Sequence, residues 1–283
     1  MTDFAHITPT AYLDLFAADR PFHLTLAHLI EEDPAYSAWY SNNVGTNSIN
    51  IMDNSAFEMY KQGREMYPSE KLIDMGHRVG ANYIVMSDYP DQIANVTIQK
   101  AIEMAPKLRD AGFGTFFVPQ SKIGGLEDLI QAFKWAATAE EVDYIGVSIL
   151  AVPNAYGVEK DNKLQRFLSR WKFMKELDAR GILEEIKHNN KKIHFLGMVD
   201  GPNEIDLVEN YLWSIDTWDS SAAVWAGLCG INFDNSPTGL IAGKNEIEVD
   251  FSHNSATIEN LSMATKNVRY IDKLLEMNYE FGV

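Results

Sequence analysis

The chain has one cysteine, Cys229, in 283 residues. That excludes an internal disulfide and any zinc site built on several cysteines. The seven histidines show no HxH or HExxH spacing, so a histidine-held metal has no support. Long apolar runs are missing: nothing approaches the roughly 20 residues of a membrane span. The opening residues 1–6 lack the basic start and apolar stretch of a signal peptide, and the expected location is the cytoplasm. No GxxxxGK[ST] loop occurs, nor a GxGxxG turn after a strand, so nucleotide-driven chemistry has no support.

Positive charge is scarce overall. The formal net charge is −16, which argues against a protein that is basic all over, as many nucleic-acid binders are. The deficit is uneven, however. Between Tyr156 and His194 there are ten Lys and Arg against six Asp and Glu. Within it Arg166, Arg170 and Lys172 are candidate phosphate contacts; a solvated helix face is the equally weighted alternative.

What the sequence does hold is a series of short apolar runs ending in an Asp or a Gln: Asn47–Asp53, Tyr83–Asp88, Thr115–Gln120 and Ser214–Asp219. Helical patterns alternate with them. Pro68–Gly80 places Leu72, Met75 and Val79 on one face, and a longer helix carries Leu164, Phe167, Leu168, Trp171, Met174 and Leu177. Further strands are expected at Phe22–Ile30 (the first), Asp143–Val152, Lys192–Val199 and Gly230–Asp234 (the eighth). Alternation of this kind implies a parallel sheet. Its length and element number predict one (β/α)8 TIM barrel over residues 1–283, with a hydrophobic share of 46% to fill its core. Carboxylates at strand ends would then meet at one mouth, where barrel active sites lie.

Each candidate also has a plainer reading. Asp53 leads into Asn54-Ser55-Ala56-Phe57, where small residues would let backbone approach a ligand and Phe57 would offer a stacking face, or where Asp53 merely caps a turn. Asp88 suits paired N–H donors of a purine-like edge, and Gln120 can donate and accept toward a flat heterocycle; either can equally be a loop residue. Asp216 and Asp219 are spaced so that only one of them can face the barrel interior. Histidines such as His194 and His77 read as structural. Two strand-end carboxylates without a metal suit chemistry at a sugar carbon, one attacking and one shuttling a proton.

In order along the chain, these segments resemble the motifs of the tRNA-guanine transglycosylase superfamily. Asp53-Asn54-Ser55-Ala56-Phe57-Glu58 resembles its Asp-Ser-Gly-Gly-Phe/Tyr-Gln motif, and Val85-Met86-Ser87-Asp88 its Val-Met-Ala-Phe-Asp strand. Val118-Pro119-Gln120-Ser121 is similar to Val-Gln-Gly, Val147 to Val152 to Ile-Gly-Gly-Leu-Ala-Val, and Phe195 to Val199 to Leu-Met-Gly-Val-Gly. Asp216-Thr217-Trp218-Asp219-Ser220 resembles Asp-Met-Phe-Asp-Cys. The resemblance implies Asp219 as nucleophile and Asp53 as general acid/base. It implies Asp88 and Gln120 as readers of a purine or 7-deazapurine edge, with the backbone of Ser148, Ile149 and Leu150 on the same base and Phe57 and Leu196 sandwiching it. Gly197 and Asp216 complete the expected binding set. The departures are a missing cysteine-rich zinc site, Ser148 and Ile149 in place of two glycines, and Ser221 to Val224 in place of Pro-Thr-Arg. They resemble the shorter relatives that insert 7-deazaguanines into DNA, often phage-encoded.

The expected partners are therefore nucleic acid, DNA ahead of tRNA, and a base such as 7-cyano- or 7-aminomethyl-7-deazaguanine. The partner reading leaves room for a homodimer without fixing the oligomeric state; no membrane, metal or cofactor is called for. A tRNA enzyme, a metal-free glycoside hydrolase and an inactive nucleic-acid-binding barrel are the competing readings.

Overall fold

A computed structural model describes residues 2–45, 47–235 and 249–281. Eight strands, β1 (Asp3–His6), β2 (Phe22–Leu26), β3 (Ile49–Asp53), β4 (Tyr83–Val85), β5 (Gly114–Phe117), β6 (Tyr144–Ser148), β7 (Lys192–Leu196) and β8 (Thr217–Ser220), alternate with helices. Every recorded pairing is parallel, in the order β1-β8-β7-β6-β5-β4-β3-β2. The result is a nearly closed (β/α)8 barrel. Its seam lies between β1 and β2, where a cavity of about 10 Å³, room for one water, is lined by His6, Arg20, Phe22 and His23.

Alternation along each strand divides the core in two. Ala5, Ile7, Phe22, Leu24, Ile51, Val85, Phe116, Val118 and Tyr144 fill the barrel interior. The opposite parity, including Phe4, Met52, Ile84, Phe117, Ile145, Phe195 and Trp218, packs outward under the helices. Strands covered on both faces need continuous apolar runs, and the sequence shows them. The long closing helix Ile258–Phe281 lies against Ala222–Leu228 at van der Waals range. A Cβ on Gly227 would fall 2.2 Å from the Ala264 backbone, so only glycine fits that crossing.

Two strand expectations are corrected. The first strand is Asp3–His6, paired with β8 through Asp3–Thr217 and Ala5–Asp219, and Phe22–Leu26 is the second. Gly230–Asp234 is no strand: its end is a turn at residues 233–235. The place at the barrel wall beside β8 is already taken by β1. Other strands stop earlier than the apolar runs suggest. β6 ends at Ser148 and β7 at Leu196, and Ala27 to Ile30 begin a helix, Ala27–Glu32.

Candidate active site

Asp53, the last residue of β3, shares interior parity with Ile51. Its Oδ1 accepts a hydrogen bond from the Ser55 N–H at 2.7 Å, a local turn that holds the carboxyl over the barrel. Ser55 has φ +57°, a left-handed conformation that is costly for a residue with a Cβ. Its hydroxyl offsets that cost. It accepts the His28 backbone N–H at 3.1 Å and lies 2.8 Å from His28 Nδ1. Burial pushes the Asp53 carboxyl well above the usual carboxylate range, and Glu58, Asp88 and Asp219 add to it against the opposing Ser55 hydrogen bond. Asp53 therefore favours its neutral form, with three further carboxylates close enough to be felt.

Asp88 lies buried in the loop after β4. Asn54 Nδ2 donates to its Oδ1 at 2.9 Å and Gln120 Nε2 to its Oδ2 at 2.5 Å. Asn54 Nδ2 also reaches the Met86 carbonyl at 2.7 Å. The loops after β3, β4 and β5 are thus fastened together by one carboxyl. Burial raises Asp88 to about 6, partly countered by the two amide donors.

On the opposite wall Asp219 faces the interior from β8. His194 Nε2 lies 3.0 Å from its Oδ1, and the Gly197 N–H donates to the same atom at 3.2 Å. His194 Nδ1 lies 2.7 Å from the Thr217 hydroxyl, and the fully buried ring packs between Phe22 and Phe116. Gly197, at φ +69°, could not carry a side chain without strain, and its would-be Cβ lies 3.2 Å from Ile149 Cδ1.

Beneath this wall Arg170 is wholly buried. It makes a two-pronged pair with Glu204 at 2.7 Å and donates to the carbonyls of Val147, Leu196 and Gly197. The Trp218 indole adds a bond to the Gly197 carbonyl at 2.8 Å. Glu204 Oε2 also takes the Val199 N–H. The guanidinium lies 4.7 Å from the Phe195 ring centroid. The expectation that Arg170 contacts nucleic acid is corrected: its donors are spent on the ends of β6 and β7.

The remaining expected residues divide. Ser148, Ile149, Leu150, Leu196 and Gly197 line the same end of the barrel, with Ile149, Leu150 and Leu196 half-buried. The Ser148 hydroxyl accepts from the Leu150 and Ala151 N–H groups at 3.1 Å, which spends it on the turn into Ala151–Ala155. Phe57 is exposed at the start of the helix Ala56–Gln62. Asp216 is corrected. It precedes β8 at the far end of the barrel, accepts the Ile193 N–H at 2.7 Å and pairs with Lys187 at 2.5 Å. That placement removes it from the binding set. Arg166 and Lys172 are half-buried on the helix Lys163–Ala179; Arg166 bonds the Lys160 carbonyl and Lys172 the Gln165 side chain. Among the described residues no group of His, Cys, Asp and Glu could hold a metal ion. No helix among them is long and apolar enough to cross a membrane.

Sequence reasoning missed His194, Asn54, Ser55, His28 and Glu204. His194 alone carried a signal: it sits two residues before Leu196, hence on the same inward face of β7.

No protein-family model matches the chain, and no curated protein does.

Proposed function

We propose that the protein is a base-exchange transglycosylase that replaces guanine in nucleic acid, DNA ahead of tRNA, with a 7-deazaguanine. The observation that carries this reading is the meeting of Asp53, Asp88 and Asp219 at one mouth with opposite preparation. Asp53 is pushed toward its protonated form, while Asp219 is held by two donors on one oxygen. One acid that holds a proton facing one prepared nucleophile is the division of labour that chemistry at an anomeric carbon needs.

In this reading Asp219 attacks C1′ of the target nucleotide while the base departs with the proton of Asp53. A covalent ester joins enzyme and nucleic acid. The incoming base gives its ring proton to Asp53 and displaces Asp219 from C1′. Asp88 and Gln120 read the base edge by exchanging the bonds they make to each other and to Asn54 for bonds to the base, and Leu196 with Ile149 and Leu150 supplies the apolar wall against which a flat heterocycle packs. Phe57 closes over the other side. The target nucleotide has to leave its stack to reach such a pocket.

The test is incubation with DNA or tRNA and labelled guanine or 7-cyano-7-deazaguanine. Label entering one polymer, with an adduct that survives denaturation, is the expected result. Base release without incorporation would favour a hydrolase on the same two carboxylates. Binding without either product would favour an inactive barrel.

A further inference from the structure

We propose that His194 positions Asp219 so that Oδ2 is the atom that attacks and Oδ1 the atom that is held; this rests on the transglycosylase reading above. The two oxygens of Asp219 are not equivalent. Oδ1 takes both His194 Nε2 at 3.0 Å and the Gly197 N–H at 3.2 Å. Among the described residues no donor reaches Oδ2, and the side chain keeps 11% exposure toward the mouth.

Hydrogen-bond logic fixes the ring. A carboxylate only accepts, so the proton shared with Asp219 belongs to Nε2. Nδ1 then accepts from the Thr217 hydroxyl 2.7 Å away. Thr217 and His194 are register partners on adjacent strands, so the barrel wall itself sets this tautomer. The ring cannot turn away, because Phe22 and Phe116 pack against it within 5.9 Å.

The chemistry follows atom by atom. A lone pair on Oδ2 forms the C1′–Oδ2 bond as the C1′–N9 pair leaves with the base, which takes the Asp53 proton. Oδ1 becomes the ester carbonyl and keeps both donors. In the return step N9 of the incoming base attacks C1′, its proton passes to Asp53, and the C1′–Oδ2 pair returns to Asp219. The charge then spreads onto Oδ1, where His194 and Gly197 already point. The donors act most on this departure, as preorganised donors act on developing negative charge.

His194 is thus a positioning residue with a signature that loss of structure would not give. Removing its donor slows departure of the carboxylate, so the covalent adduct accumulates while kcat falls. Asn places an amide where Nδ1 stood and Gln places one where Nε2 stood. His194→Phe and His194→Asn should lose about 10²-fold in kcat with the Kd for the base unchanged and adduct enriched, and His194→Gln should recover most of that loss. Thr217→Val, which frees the tautomer, should give a smaller loss of the same kind. A wild type that forms adduct while His194→Phe keeps the wild-type kcat removes this inference alone. So does a fall in kcat with less adduct and a lower melting temperature in all three histidine variants. No adduct in the wild type removes the transglycosylase reading and this inference together. Nitrogen-15 NMR of the wild-type histidines gives a readout without variants: His194 protonated on Nδ1 rather than Nε2 would overturn the assignment.

Discussion

Two pairs, each of a buried histidine and an aspartate, flank the same stretch of barrel wall, and their hydrogen bonding differs. His194 and Asp219 lie inside the barrel mouth. His6, on the outward face of β1, meets Asp272 of the closing helix at 2.9 Å. Arg20 donates to both oxygens of Asp272, at 3.0 and 2.9 Å. Asp272 therefore has no oxygen left open toward a cavity, and its pair clamps the last helix to the first strand. Among the described residues, donors reach only one of the two Asp219 oxygens. Burial pushes the Asp272 carboxyl up, but His6 and Arg20 outweigh it and bring it below the usual range. Identical residue types form a rivet or, on the proposed reading, a nucleophile, according to which lone pairs the fold consumes.

The sharpest break of this comparison is to remove each acid in turn. Asp219→Ala should abolish base exchange, a loss of roughly 10⁴-fold or more, with little change in melting temperature. Asp272→Ala should do the reverse. It strands a guanidinium and an imidazole at the barrel seam and should cost about 2 kcal/mol of stability while kcat stays near wild type. Matched activity losses in the two variants would erase the distinction. Thermal melts beside a labelled-guanine assay decide it.

A buried ion pair without a reactive role gives the next largest effect. Arg170→Met leaves Glu204 charged and unpaired in a dry site and opens three carbonyls, which should cost about 3–5 kcal/mol. Arg170→Met with Glu204→Leu should recover much of it, because the orphaned charge is gone. The slope of nucleic-acid affinity against salt should not change in the double variant. A shallower slope there would return Arg170 to the phosphate contacts, from which its burial now removes it.

Arg170 also shows where the sequence stops being legible. Its neighbours on the helix look like a charged surface stripe. What buries it is Glu204, 34 residues away, and the ends of two strands, and no local pattern encodes those partners. The barrel itself was readable, because strands covered on both faces demand continuous apolar runs. β1 was not: four residues, Asp3–His6, are too short to display an alternation. The spacing of Asp216 and Asp219 rightly allowed only one of them into the interior. Choosing between them needed the strand's start, which the structure puts at Thr217. Ser55 was legible only as a small residue; its left-handed backbone and its bonds to His28 belong to tertiary structure.

The smallest effect concerns acid stability and separates the clamp from the mouth once more. Burial lowers His6 below the ordinary histidine range despite Asp272, with Arg20 adding to the fall. The unfolded chain then binds a proton that the folded chain refuses. Stability therefore falls as pH drops below about 6.5, down to the lowered folded value, at up to about 1.4 kcal/mol per pH unit for one such group. His23 and His28 are lowered by burial too and act in the same direction. Glutamine at position 6 keeps a donor for Asp272 and cannot titrate. His6→Gln should flatten the melting-temperature decline between pH 7 and pH 5 by roughly one histidine's share, without altering the rate of base exchange. An unchanged slope would mean that His6 is protonated in the folded clamp at those pH values, with its Nδ1, which has no partner among the described residues, taking a proton toward the seam cavity.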